Sequence, residues 1–145
     1  VADKLEKAFA LVRAPVICTD GGIFIEALRG FPGEHSGHAA KKLGCAGLLK
    51  LLDGCTDRTA IRRNAIGYFD GSRMEIRTNE VSCVIADAPR QRYPSYEIDR
   101  ILVPQLPGNE DGRTYAEMPV KERVRFSELP FSREFITTIL KENKS

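Results

Sequence analysis

Apolar residues recur along this chain in two rhythms, one helical and one extended. Over residues 2–13, Leu5, Ala8, Phe9 and Val12 share one helical face while Lys4, Lys7 and Arg13 lie off it. That spacing predicts an amphipathic helix, ended by Pro15. Val16-Ile17-Cys18-Thr19 reads as a short buried strand finishing at Asp20-Gly21-Gly22, and a second apolar stretch, Ile23-Phe24-Ile25, leads to Ala27-Leu28. Gly30-Phe31-Pro32-Gly33 has to be a loop, because proline and two glycines break either regular structure. From His38 to Asp53 the helical rhythm returns, with Leu43, Ala46, Leu49 and Leu52 as the buried stripe and Gly54 as the stop.

Three segments rich in β-formers follow, at about 58–69, 73–78 and 80–86. Asp70-Gly71 between the first two is a hairpin signal. Pro89 and Pro94 bound a loop, Ile98–Val103 is a further short strand stopped by Pro104, and residues 104–113 form a surface loop. Helices near 119–126 and 131–142 close the chain, the second with Phe135, Ile136, Ile139 and Leu140 as its apolar face. This order predicts an α/β fold, a central mixed twisted sheet flanked by helices, as a single domain over 1–145.

Composition narrows the classes. At 145 residues with 42% apolar and 29% charged positions, the chain suits a globular domain and not a disordered one. No apolar run approaches the roughly 20 residues that a bilayer span needs. Val1-Ala2-Asp3-Lys4-Leu5-Glu6-Lys7 has charges of both signs and no apolar core, unlike a secretory signal, so a cytoplasmic address is expected. A net charge of +2 is too small to argue for nucleic acid. Cys18, Cys45, Cys55 and Cys83 form no C-x-x-C pair and read as buried thiols.

Five segments then fall into one order. They are Asp20-Gly21-Gly22-Ile23 with Ala27-Leu28-Arg29-Gly30-Phe31-Pro32-Gly33 and Ser36; Leu48-Leu49-Lys50-Leu51-Leu52-Asp53-Gly54 with Arg58; Ala88-Pro89-Arg90; Tyr96-Glu97-Ile98-Asp99-Arg100-Ile101-Leu102-Val103-Pro104; and Thr114-Tyr115-Ala116-Glu117-Met118, followed by Arg123 and Ser127. Together they resemble the inosine/xanthosine triphosphate pyrophosphatase family, whose corresponding segments include D-D-S-G-L, a-L-x-G-x-P-G, F-G-Y-D-P-I-F-x-P, T-f-A-E-m and S-H-R. The resemblance implies a Maf/Ham-type architecture with a nucleotide cleft, dimerisation, and Mg²⁺. It also implies cleavage of non-standard purine nucleoside triphosphates to monophosphate and pyrophosphate.

The chain departs from that pattern in several places. Thr19 stands for the first Asp of D-D-S-G and Gly21 for its Ser; Gly37 and His38 replace the A-R of S-A-R. Glu97 and Ile98 replace the Gly and Tyr of F-G-Y-D, and Glu128 and Leu129 replace the His and Arg of S-H-R. The family's N-terminal strand and T-x-N-x-x-K triphosphate loop have no counterpart here. If the site survives, that loop is expected from elsewhere, such as a partner subunit, and the sheet edge left bare is expected to be covered in a homodimer or else rearranged.

By resemblance, Asp20 is the carboxylate that binds Mg²⁺ and activates water, chemistry that suits a hard oxygen-seeking cation; the plain alternative is a strand-end turn. Gly21 and Gly22 are candidates for close backbone approach to a phosphate, against an ordinary turn. Tyr96 is a candidate to stack on the base, against core packing. Asp99 would accept from a base edge or else cap a turn. Arg123 would pair with phosphate or else sit solvated on a helix. Glu128 brings negative charge where the family carries positive charge. His35, His38 and Cys45 match no common zinc spacing. The arginines along the strands, Arg58, Arg62, Arg63, Arg73 and Arg77 among them, read by default as a solvated surface. The expected function is a divergent nucleoside triphosphate pyrophosphatase. The alternative is a catalytically impaired relative serving as a nucleotide- or nucleic-acid-binding module.

Overall fold

The computed structural model describes residues 1–126 and 129–142. Among them the chain runs α1 (Ala2–Val12), β1 (Val16–Ile25), β2 (Pro32–Gly33), α2 (Ser36–Lys42), α3 (Gly44–Leu51), β3 (Thr59–Phe69), β4 (Met74–Ile85), β5 (Leu102–Pro104), α4 (Val120–Arg123) and α5 (Leu129–Glu142). Single 3-10 turns lie at Glu26–Leu28, Glu97–Arg100, Tyr115–Glu117 and Val124–Phe126. The strands form one five-stranded antiparallel sheet in the order β2-β1-β3-β4-β5. The α/β class expected from the element order is the class observed. Both terminal strands are short: two-residue β2 covers β1 at Ile23 and Phe24, and three-residue β5 covers β4 at Cys83–Ile85. Among the described residues no helix is long and apolar enough to cross a membrane.

The chain divides into two compact units. The first comprises Val1–Gly21, Asn64–Asn79 and α5; the second comprises Gly22–Arg63 and residues 80–126.

In the first unit, α1 buries Leu5 completely. The strand opposite answers with Gly67, where a Cβ would come within 2.6 Å of Leu5 Cδ1 and 2.7 Å of Val1 Cγ1. Phe9 packs on Phe69 with ring centroids 5.0 Å apart. α5 contributes Phe135 and Ile139, which pack with Ile66 and Tyr68, with Ile136 beside them. Leu140, at the margin of the expected apolar face, stays 56% exposed. β4 continues through Thr78 and Asn79, where the sequence predicts a break; the buried Asn64 Nδ2 donates to Asn79 Oδ1 at 3.4 Å, so the polar pair is satisfied within the sheet.

The β3–β4 hairpin turns on Asp70. Its Oδ1 accepts the N–H groups of Arg73 (2.8 Å) and Ser72 (2.9 Å) and the Ser72 hydroxyl (3.0 Å), and Tyr68 donates its hydroxyl to Oδ2 at 3.3 Å. Gly71 follows at φ 99°, and a Cβ there would lie 2.4 Å from Phe9 Cζ. The backbone donors of Arg73 and Ser72, in that order, hold the Asp70 carboxyl down at about 2. The folded value lies below the ordinary 3.8, so the contribution to stability is complete above that value and is lost as pH falls through about 2. Asp70→Asn is expected to flatten this acid-side dependence, read as denaturation midpoints from pH 5 to about pH 2.

The second unit holds the larger core, centred on Ile25, Leu48, Leu52, Ile85, Ile101 and Leu102. The helix expected over 38–53 is two helices, because Gly44 adopts φ 64° and ends α2 before α3 begins. That break resets the register. Cys45, Leu48 and Leu52 face the core, Leu43 is left 42% exposed and Ala46 is exposed. The strand expected over Ile98–Val103 is shorter. Glu97–Arg100 forms a 3-10 turn, and only Leu102–Pro104 pairs, against Cys83–Ile85. In the 104–113 loop, buried Asn109 donates Nδ2 to Pro104 O and to Arg113 O, each at 2.9 Å. Thr114 and Glu117 close a reciprocal capping box immediately after it.

Candidate functional site

Asp20 sits inside β1 and not at a strand end. The strand carries on through Gly21 and Gly22 to Ile25, so the turn expected at Asp20-Gly21-Gly22 is absent. Gly22 explains the continuity. A Cβ there would lie 2.4 Å from Gly33 O and 2.8 Å from Gly33 C, both backbone atoms of the paired β2. The glycine serves close packing of two strands. Ser36 seals the same corner, donating its hydroxyl to Gly33 O at 2.6 Å and accepting the Ile23 N–H at 2.8 Å while buried.

The Asp20 side chain is 33% exposed, and Lys4 Nζ of α1 reaches its Oδ1 at 2.8 Å. The same oxygen accepts the N–H of Gly21 at 3.0 Å. Burial by itself would raise the carboxyl; the Lys4 bond and the Gly21 N–H outweigh it and hold Asp20 below the ordinary range, ionised at neutral pH. No local pattern marks Lys4, which lies off the buried helical face; only the packing of α1 on β1 brings it to Asp20.

Among the described residues no group of three or more His, Cys, Asp or Glu side chains is placed to hold a metal ion. Asp20 brings one carboxylate oxygen already engaged by an ammonium and a backbone N–H. Mg²⁺ needs octahedral oxygen ligands and is ordinarily anchored by one or two carboxylates together with substrate phosphates. The described residues therefore do not fit a resident magnesium ion on their own. Zinc fares no better. His35 and His38 are exposed, and the Cys45 thiol is pushed up to about 12 by burial and then by Glu97, so it stays protonated.

Tyr96, Asp99 and Arg123 belong to the second unit, Asp20 and Gly21 to the first. Tyr96 is 80% exposed, which removes core packing as its role. Asp99 is only 4% exposed; its Oδ1 pairs with Arg62 Nη1 at 3.2 Å and its Oδ2 accepts the Ser95 hydroxyl at 2.5 Å. Arg62, expected on a solvated surface, is 19% exposed and lies 4.7 Å over the Tyr115 ring. Arg123 directs Nη1 to Ser95 Oγ (2.7 Å), Nη2 to Pro94 O (3.0 Å) and Nε to Met118 O (3.3 Å). Arg62, Asp99, Ser95 and Arg123 thus form one continuous polar chain. Ser95 carries no motif signal, since an isolated serine after proline is common in loops.

Glu97, where the resemblance has glycine, closes the N-terminus of α3. Its Oε1 accepts the Cys45 N–H at 3.2 Å, and Arg100 bonds both carboxylate oxygens at 3.1 and 3.0 Å. The Cys45 N–H first, and Arg100 after it, hold this carboxyl below its ordinary value. Ser127 and Glu128 lie outside the described residues, as does the side chain of Leu129.

Comparison with known proteins places these features among relatives. Residues 1–129 match the model of the Ham1 family. A dITP/XTP pyrophosphatase of Hyperthermus butylicus is 36% identical over 121 residues, covering 83% of this chain and 61% of that protein. One of Thermococcus kodakarensis is 38% identical over 132 residues, covering 91% and 68%. Among solved structures, a HAM1 protein from Coxiella burnetii superposes with a TM-score of 0.80 at 25% identity, over 97% of this chain and 74% of that one. The Staphylococcus aureus Ham1 protein gives 0.80 at 23%, over 97% and 73%. The chain spans about three fifths of the length of the first of these relatives.

Proposed function

The chain belongs to the Ham1 family, and on that footing we propose that it hydrolyses non-standard purine nucleoside triphosphates of the ITP/XTP type to the monophosphate and pyrophosphate. The observation that carries this reading is an ionised, partly exposed Asp20 paired with Lys4, in a chain whose relatives include dITP/XTP pyrophosphatases. Asp20 orients the attacking water through its carboxylate. Its lowered pKa makes it a weak proton acceptor but keeps it charged across the neutral range. Lys4 offers an ammonium beside it that offsets charge developing on phosphoryl oxygen. Gly21, exposed next to Asp20, leaves room for a phosphate. In the second unit, Tyr96 carries an exposed ring of the kind that stacks on a base, and Asp99 and Arg123 are linked through Ser95, its neighbour in sequence. A divalent cation, if bound, would be held chiefly by the triphosphate, with Asp20 as the one nearby carboxylate, and would supply charge neutralisation on the phosphates. The proposal includes a cytoplasmic homodimer, and the modest charge of +2 favours nucleotide over nucleic acid as ligand.

The test is a pyrophosphate assay with Mg²⁺ and a panel of ITP, XTP, dITP, ATP and GTP. Release from the first three in preference to the last two is expected. Asp20→Asn should lower the rate roughly a hundredfold, the scale on which losing the orientation of a reacting group is felt. No release, or an Asp20→Asn rate equal to that of the unsubstituted protein, would end the proposal. A strongly salt-dependent affinity for RNA or DNA in place of turnover would instead favour the non-catalytic alternative.

A further inference from the structure

We infer that Ser95 and Arg123 are positioning residues: with Asp99 and Arg62 they form a clasp that pins the Pro94–Tyr96 turn and so presents the Tyr96 ring to the base. This rests on the nucleotide reading of the same residues. Tyr96 contributes little to the core at 80% exposure, yet the backbone that carries it is held from both sides. Arg123 grips Pro94 O and Ser95 Oγ, while the Asp99 N–H donates to Tyr96 O at 3.1 Å. Asp99 is buried and anchored in turn by Arg62, which rests on Tyr115. Pinning the backbone fixes the origin of the Tyr96 ring, so stacking has only the side-chain torsions left to order.

The donor arithmetic singles out Ser95. Its hydroxyl has one proton, which goes to Asp99, and its oxygen accepts from Arg123. Ser95 is therefore the bridge between the acid and the guanidinium. Ser95→Ala cuts both links while leaving the Arg62–Asp99 pair in place. The Arg123 fork is already directed at three protein oxygens, so it acts on substrate through the turn.

The test is a double-mutant cycle on ITP hydrolysis. Ser95→Ala is expected to raise KM about tenfold, within the range a base–aromatic stack is worth, and to change kcat less than about twofold. Ser95→Thr should restore KM. In a Tyr96→Ala background, Ser95→Ala should add nothing, because the ring it positions is gone. An equal rise in KM in both backgrounds, or a loss confined to kcat, overturns the inference. A second readout needs no turnover. The sequence has no tryptophan, so Tyr96→Trp introduces a single tryptophan that can be excited apart from the remaining tyrosines. Adding Ser95→Ala should lower its fluorescence anisotropy at 20 °C, read well below the melting transition of either variant, and unchanged anisotropy overturns the clasp. If the unsubstituted protein releases no pyrophosphate, the nucleotide reading fails by itself while the anisotropy still decides whether the turn is held.

Discussion

Gly22→Ala is expected to destabilise the protein by about 3 kcal/mol, at the upper end of the overpacking range. The added methyl would meet Gly33 O at 2.4 Å and Gly33 C at 2.8 Å, and neither atom is free to retreat. Gly33 pairs with Ile23, and its carbonyl already accepts the Ser36 hydroxyl. It also sits at φ 54°, where a side chain of its own would meet Gly30 O at 3.1 Å. The clash is therefore backbone against backbone, which rotamer changes cannot relieve. Gly37→Ala in α2 is the internal control. Nothing lies within 4 Å of its would-be Cβ, and helix propensity predicts a gain of up to about 1 kcal/mol. Urea denaturation of the two variants should give midpoints displaced in opposite directions. Similar midpoints would show that the two strands part easily at this corner.

Asp99→Ala should cost about 3 kcal/mol, the low end for breaking a buried ion pair. The penalty comes from what is left behind. Arg62, 19% exposed, would lose its only anionic partner among the described residues, keeping just the face of Tyr115. The Ser95 hydroxyl would lose its acceptor. Asp99→Asn keeps an acceptor of the same shape and should cost roughly 1–2 kcal/mol. Adding Arg62→Met to Asp99→Ala should recover part of the loss, since the stranded charge is removed with its partner. Equilibrium denaturation of the four proteins measures this directly. An Asp99→Ala variant as stable as the parent would show that the buried carboxylate has no structural role.

Several elements were legible because their causes are local. α1 follows from the spacing of Leu5, Ala8 and Phe9, although Val12 of the same expected face stays 60% exposed, and the β3–β4 hairpin follows from Asp70-Gly71, whose side-chain acceptor and positive φ are properties of two adjacent residues. The polar loop after Pro104 was equally plain. Where a non-local contact overruled the local pattern, legibility failed. Gly21-Gly22 has the chemistry of a turn, yet β1 runs straight through because Gly33 needs the space. In the stripe over 38–53 Leu52 is buried as expected, but Cys45 and Leu48 take the buried places expected of Ala46 and Leu49 because Gly44 left the helical region. Arg62 looked like one surface cation among many until Asp99 and Tyr115 enclosed it.

The candidate site divides along the same line. Motif order alone was enough to bring out the family and to single out Asp20, Tyr96, Asp99 and Arg123, because short sequence segments preserve residue identity and spacing. The tertiary structure decided their company: Lys4 beside Asp20, Ser95 between Asp99 and Arg123, Glu97 turned onto the end of α3. Charge and hydrogen-bond partners depend on distances of about 3 Å between residues far apart in the chain. One-dimensional order carries no such distance, so which residues are ionised, paired or exposed emerges only when the elements pack.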